Sequence, residues 1–447
     1  MRIAFVAGNR EQLPDPVIPL GVLSVIAATP IAHERTFVDL CFEAEPERVL
    51  AAHLEAHTPD VVAIGMRNVH DNGYGAIDAS VAYYQALVAA VRRHAPRALV
   101  VLGGGGFSVL SAELLVALDG DVGIEGEGER AFVELLSALE VRAPLGTVRG
   151  ILWREGARVV KNAPAPLVEL DAVPPIDRSL VDRRHYERCG TDSVQTKRGC
   201  PLHCAYCTYP TIEGRTHRLR DPERVADDFE RARAAGARHV FVVDAVFNLP
   251  SRHALEVCDA LARRGAPLPW TAYVNPLGFE PRLAEAMVRA GAVGMEVGSD
   301  SGDDDVLVRL QKGFDTEAIR RASAIAREAG LKDCHTFLLG TPGETLETVR
   351  RTLDLVVEVN PSAAILMIWS DEREALEPAL AAERRALRAA ILELVRVEHT
   401  RYPRWVVPQL GISFRKRMFA LLRRRGLAGP LWQHLDRLTA PAEPSIA

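Results

Sequence analysis

Cys200, Cys204 and Cys207 place three thiols within eight residues, in the spacing Cys-x3-Cys-x2-Cys. Thiolates are soft ligands that select zinc, copper(I) or iron–sulfur clusters. A structural zinc site wants four protein ligands and no vacancy, and a cubane cluster usually takes four thiolates. Three cysteines on one short loop therefore suggest a cubane with one iron left open to a substrate or cofactor atom. His203 could complete a zinc site instead, but it lies between two ligands on a tight loop, where it is expected to point away.

Elements must position this loop, and the chain is long enough to supply them. Its 447 residues are 48% hydrophobic, sufficient for two or three domains with substantial cores. The formal net charge of −5 offers no basic field for nucleic acid. Of seven cysteines three cluster and four scatter, which is not a disulfide framework. With no signal peptide in view, a reducing, cytoplasmic compartment is expected. Apolar runs such as 20–28 are too short to span a bilayer, so no membrane partner is expected.

The first part of the chain alternates. Strands are expected at 3–7, 36–40, 61–65 and 98–102, with helices at 20–28, 45–56 and 77–94 between them. Such alternation implies a doubly wound, Rossmann-like parallel sheet, whose ligands lie outside the carboxyl ends of the strands. Two glycine-rich stretches fall at such ends: Gly103-Gly104-Gly105-Gly106 and Glu125-Gly126-Glu127-Gly128-Glu129. Glycine there admits a large flat ligand close to the backbone, or simply makes turns. A connector over 142–173 carries a hairpin-like stretch at 150–156 and then prolines. A second alternating series follows, with strands expected at 193–197, 239–243, 270–274, 294–298, 335–340 and 363–367. Six such units fall short of the eight of a closed barrel, so a partial barrel is expected, with its chemistry at the carboxyl strand ends. One long helix, or two divided near Pro378, is expected over 372–395, and a basic helix over 413–425.

Arg198-Gly199-Cys200-Pro201-x-x-Cys204-x-Tyr206-Cys207 resembles the cluster loop of the radical SAM superfamily. That resemblance implies a 4Fe-4S cluster whose open iron is chelated by S-adenosylmethionine (SAM), with Tyr206 beside the adenine. Pro19-Leu20-Gly21 and the two glycine stretches are similar to the cobalamin-binding domain that precedes many radical SAM domains. Gly21, Gly104, Gly105, Gly126, Glu127 and Gly128 are then corrinoid-binding candidates. The signature Asp-x-His-x-x-Gly is missing, which implies no protein histidine on cobalt. Arg67-Asn68-Val69-His70-Asp71-Asn72 resembles the Arg-Asn motif of the thiostrepton tryptophan methyltransferase subgroup, where an arginine faces the lower side of cobalt. A phosphate or carboxylate clamp is the other reading of Arg67.

Further contacts are implied one by one. Asp244, in Asp244-Ala245-Val246-Phe247-Asn248, corresponds to a contact of the methionine amino group or of the open iron. The family's first acidic position there is Val243 in this chain. Glu296-x-Gly298-Ser299-Asp300-Ser301 resembles the Glu-x-Gly-x-Glu-Ser motif, which makes Glu296, Ser299 and Asp300 cofactor-binding candidates; a buried cation partner is the other reading of Glu296. Gln311-Lys312-Gly313 continues that pattern, and Gly340, in Leu338-Leu339-Gly340-Thr341-Pro342-Gly343-Glu344, resembles the glycine-rich turn beside adenine. Tyr273 is expected to point into the cavity as a substrate contact, or to be a core aromatic.

The implied organisation is α/β: a cobalamin-binding domain (1–140), a linker (141–190), a partial (β/α)6 radical SAM barrel (191–375) and a small C-terminal helical cap (376–447). The implied activity is transfer of a methyl group from SAM through cobalamin to a carbon of a small-molecule or peptide substrate, with a flavodoxin- or ferredoxin-type electron donor if radical chemistry operates. A cobalamin-assisted cyclisation, oxidation or rearrangement without methyl transfer is the alternative.

Overall fold

The computed structural model describes residues 1–12, 15–69, 77–156, 158–406 and 423–435. His70, Asp71, Asn72 and most of the expected basic helix lie outside them.

The N-terminal sheet contains β1 (Arg2–Ala7), β2 (Glu34–Asp39), β3 (Val61–Gly65), β4 (Leu99–Gly103), β5 (Val122–Ile124), β6 (Ile151–Glu155) and β7 (Arg158–Lys161). Their order is β2-β1-β3-β4-β5-β6-β7, parallel through β5 and antiparallel thereafter. Short apolar runs such as Ile3–Phe5 and Val100–Leu102 form strands buried on both faces, as a sheet covered by helices requires. The chain winds one way from β1 to β2 and the other way to β3, so the switch point lies between β1 and β3. The sheet does not end at residue 140. The hairpin β6–β7 extends it, because Leu152 needs the buried position opposite Gly123 and beside Phe107. The segment expected as linker therefore completes the first domain.

The second sheet is built from β8 (Thr191–Val194), β11 (His239–Val242), β12 (Trp270–Val274), β13 (Ala292–Asp300), β14 (Lys332–Leu339), β15 (Ala363–Ile368) and a short β16 (Trp405–Val406), all parallel and in sequence order. The ribbon of β9 (Lys197–Arg198) and β10 (Arg218–Leu219) stands beside it. Six strands match the expected partial barrel; β16 was not among the expected strands. Outward residues such as Val240, Trp270, Ala272, Met295 and Val297 pack on helices and share one apolar cluster with Phe5, Leu23 and Phe132 of the first domain. The two domains are thus joined by a continuous core. After β15, a short turn (Glu372–Ala375) and the helix Pro378–Glu398 divide near Pro378 as expected.

Candidate active site

Gly199 opens the cysteine loop at φ +85, and a Cβ there would lie 2.1 Å from the Thr216 carbonyl. Only glycine fits, so the turn that aims Cys200 is set by sequence. The Cys200 amide donates to the Gly214 carbonyl, Ala205 to Leu310 and Cys207 to Cys204. Cys200 is buried; Cys204 and Cys207 are half-buried. His203 points away from the sulfurs, with Nδ1 3.4 Å from Arg215 Nη1. Among the described residues, Asp39, Cys41 and His185 bring their ligand atoms within 4.8 Å of one another; the loop cysteines are not so tightly gathered. A zinc ion, at about 2.3 Å from each sulfur, would draw them closer than that. Three thiols held wider on a rigid loop fit a cubane.

Burial pushes the Cys200 thiol up and carries Cys207 to about 11, while Lys312 pulls both back down. Lys312 is buried; its ammonium lies 2.6 Å from Asp300 and 3.2 Å from the Tyr206 hydroxyl, over the rings of Tyr206 and Phe314. Tyr206 in turn donates to Asp300. Two buried polar atoms nearby have no hydrogen-bond partner among the described residues. Trp369 Nε1 belongs to a ring 5.9 Å from that of Tyr206. Glu344 Oε1 belongs to a carboxylate whose other oxygen accepts from Gly340 N, Thr341 N and Thr341 Oγ1. Buried groups are normally paired, so an unpaired donor and an unpaired acceptor at the ends of β14 and β15 fit the edge of a purine. The helix Pro378–Glu398 builds this wall: Arg388 donates to the Trp369 carbonyl, and Gly340, at φ +81, makes room for Ile391. Lys312, Glu344 and Trp369 were not singled out by sequence. The motif containing Lys312 was visible, but not its burial.

Several candidates take other places. Asp244 is buried, with one oxygen accepting from Thr196 N and the other 3.0 Å from Lys197 Nζ. It neutralises a buried lysine rather than facing a cofactor. Ser299 lies 2.8 Å from His335 Nδ1, while Asp300, at φ +61 where β13 shifts register against β14, turns to Lys312. Glu296 lies four residues before Asp300, about 13 Å along the strand, too far to share its partners. It accepts from Trp432 Nε1 at 2.8 Å, and among the described residues no cation pairs with it. Tyr273 is 38% exposed, yet burial and Glu296 hold its hydroxyl well above the usual range. Both are true of a side chain on the wall of an enclosed lumen.

In the first domain, Arg67 and Asn68 follow β3 at the switch point. Asn68 Nδ2 donates to Glu11 at 3.0 Å, and Arg67 Nη1 lies 3.9 Å from the same oxygen. The Arg67 guanidinium is half exposed; burial holds the Tyr209 and Tyr273 hydroxyls of the barrel above the usual range, and the charge of Arg67 offsets a small part of that rise. A Cβ on Gly104 or Gly106 would strike the backbone of Met66 or Asn68, so the glycine run supports the Arg67 loop from beneath. Gly105 and Gly126 meet Ile212, on the helix after the cysteine loop, and Gly128 meets Val25. A side chain would be crowded at Gly126 and Gly128, whereas Gly105 has ordinary clearance from Ile212. Gly21 faces open space. Glu127 is no corrinoid contact in this arrangement: it receives Arg198 at 3.1 Å and Arg218 at 2.6 Å, while Glu129 receives Arg198 at 2.7 Å. The residue two before Cys200 is thereby clamped to the first domain. A switch-point loop braced by glycine and bearing a cation fits a corrinoid site; His70, the nearest histidine in sequence, lies outside the described residues.

Comparison with known proteins agrees. Residues 194–356 match the radical SAM superfamily and residues 9–136 the B12 binding domain. An uncharacterized methyltransferase of Pyrococcus horikoshii is 25% identical over 79% of this chain and 77% of its own. The tryptophan 2-C-methyltransferase of Streptomyces laurentii is 26% identical over 79% and 70%. The radical SAM methyltransferase TsrM of Kitasatospora setae, solved with tryptophan and a SAM analogue, superposes with a TM-score of 0.73 at 24% identity, over 82% of this chain and 72% of that one, which shows a shared fold. The chain is a radical SAM enzyme that carries a B12 binding domain ahead of its radical SAM domain.

Proposed function

We propose that this enzyme moves a methyl group from SAM, by way of cobalamin, to a carbon of a small-molecule or peptide substrate. One observation carries the reading: the cysteine loop and the Arg67 crevice, on different domains, are clamped together by Arg198 and face one lumen lined by Tyr209 and Tyr273. When bound, the corrinoid supplies a transferable methyl group and the cluster an electron and a docking iron for SAM.

The chain's own residues position and exclude water. Cys200, Cys204 and Cys207 hold the cluster. Lys312 and Asp300 receive the polar end of SAM, and Trp369 with Glu344 its base. Arg67 would supply a positive field to a bound corrinoid and so disfavour water at the metal. Tyr273 orients substrate. A flavodoxin- or ferredoxin-type protein supplies electrons if an adenosyl radical forms. No helix among the described residues is long and apolar enough to cross a membrane.

The test is anaerobic reconstitution with iron, sulfide, hydroxocobalamin and a chemical reductant, followed by addition of SAM. The reading predicts S-adenosylhomocysteine in amounts matching bound corrinoid before any substrate is added. Release of 5′-deoxyadenosine with no S-adenosylhomocysteine would establish the rearrangement alternative instead.

A further inference from the structure

Glu296 occupies a layer of the barrel that no cofactor assignment uses. It pairs in register with Tyr273 on β12 and Cys334 on β14, and its strand neighbours Met295 and Val297 lie in the core on the opposite face. Its side chain therefore projects into the lumen. Below it the barrel is stoppered. A Cβ on Gly294 would lie 2.8 Å from the Trp432 ring, Lys332 donates to the Gln433 carbonyl, and Gly429 packs on His239. The free side of Glu296 thus faces the Arg67 end, where Tyr273 lies edge-on to Phe241 with ring centroids 4.9 Å apart.

Among the described residues, no positive charge pairs with Glu296 in this layer. Trp432 gives Glu296 one N–H, and the charged group that acts on it is Asp15, of the same sign. Asp15 already has its own partner in Arg423. A carboxylate enclosed by aromatic rings, without a counter-charge, is an expensive arrangement unless a ligand completes it.

We propose that this layer is a subsite for a protonated amine, and that the substrate carries that amine beside an apolar or aromatic body lying against Tyr273 and Phe241. The substrate identity rests on the methyl-transfer reading; the subsite itself does not. An ammonium group pairs with the carboxylate and meets the ring faces favourably. A neutral isostere would leave the charge unpaired, so discrimination should be strong.

The probes are 2-phenylethylamine and tryptamine, each set against its alcohol, 2-phenylethanol and tryptophol. Binding to the reconstituted holoenzyme is followed by ligand-observed NMR. We expect each amine to bind about tenfold or more tighter than its alcohol, about 1.4 kcal/mol. Glu296→Gln should erase the preference and Glu296→Asp should keep it, with iron and corrinoid contents unchanged in both. The proposal is overturned if neither amine binds at about 10 mM, if amine and alcohol bind alike, or if Glu296→Gln retains the preference. A chain that binds the amines selectively but forms no S-adenosylhomocysteine upholds the subsite and defeats the methyl-transfer reading. Methyl transfer to cobalt without amine selectivity does the reverse.

Discussion

Lys312 is the residue on which two cofactor sites meet. Its charge neutralises Asp300, supports the Tyr206 hydroxyl and offsets a small part of the rise that burial imposes on two cluster thiols. Lys312→Met would leave Asp300 buried and unpaired, a loss of ~3–5 kcal/mol. SAM affinity should fall at least about tenfold, read by equilibrium dialysis on protein that still holds its cluster. Unchanged affinity would remove Lys312 from the site. Gly199→Ala should be more severe, since the new Cβ would collide with the Thr216 carbonyl at a backbone angle alanine avoids. Iron content after reconstitution should drop well below the parent value while corrinoid binding persists. Glu296 gives a pH signature. Burial raises its carboxyl from the usual 4.5 to about 7. Between those values the folded chain binds a proton that the unfolded chain has released, so this group's contribution makes stability fall as pH rises through that window. Without cofactors, Glu296→Gln should melt with the parent near pH 4.5 and a few degrees above it at pH 8. A difference independent of pH would contradict the desolvated carboxylate.

At the scale of elements, the decisive contact joins the β9–β10 ribbon to the turn before the helix Gly128–Glu140. Arg198 and Arg218 meet Glu127 and Glu129 there, all of them largely buried. Removing one partner of such a network strands the others. Arg198→Ala is expected to lower stability by ~3–5 kcal/mol and to divide one thermal transition into two, seen by calorimetry. A single transition at the parent temperature would show that the clamp does not couple the domains. Much of this architecture was legible beforehand. Helices 20–28 and 77–94 and strand 61–65 stand where hydrophobic periodicity puts them. The hairpin β6–β7 was seen, but not its membership of the first sheet, because pairing to β5 is a long-range choice. Strand alternation alone could not have separated Ser299 from Asp300, because β13 shifts register there and Asp300 takes φ +61. Nor was the burial of Asp244 legible, since its reason is Lys197, a neighbour fixed only by the fold. Glu127 was read as a ligand contact because its flanking glycines resemble a crevice; its arginines lie about seventy and ninety residues onward.

At the scale of the molecule, one apolar cluster runs from Phe5 and Leu23 into Val194, Trp270 and Met287. The barrel is closed at its amino end by residues near Trp432 and covered at its carboxyl end by the first domain. Its lumen thus lies between a cluster loop and a switch-point crevice. The described part of that crevice offers arginine and asparagine but no imidazole.

The most direct measurement is electron paramagnetic resonance of the anaerobically reconstituted, cob(II)alamin-loaded enzyme, beside a Cys200→Ala, Cys204→Ala, Cys207→Ala variant. The account predicts about four irons per chain in the parent and none in the variant. It predicts bound corrinoid in both, with a cobalt spectrum free of splitting by an axial nitrogen. A parent chain that holds iron but no corrinoid, or a cobalt signal split by a nitrogen ligand, would contradict it.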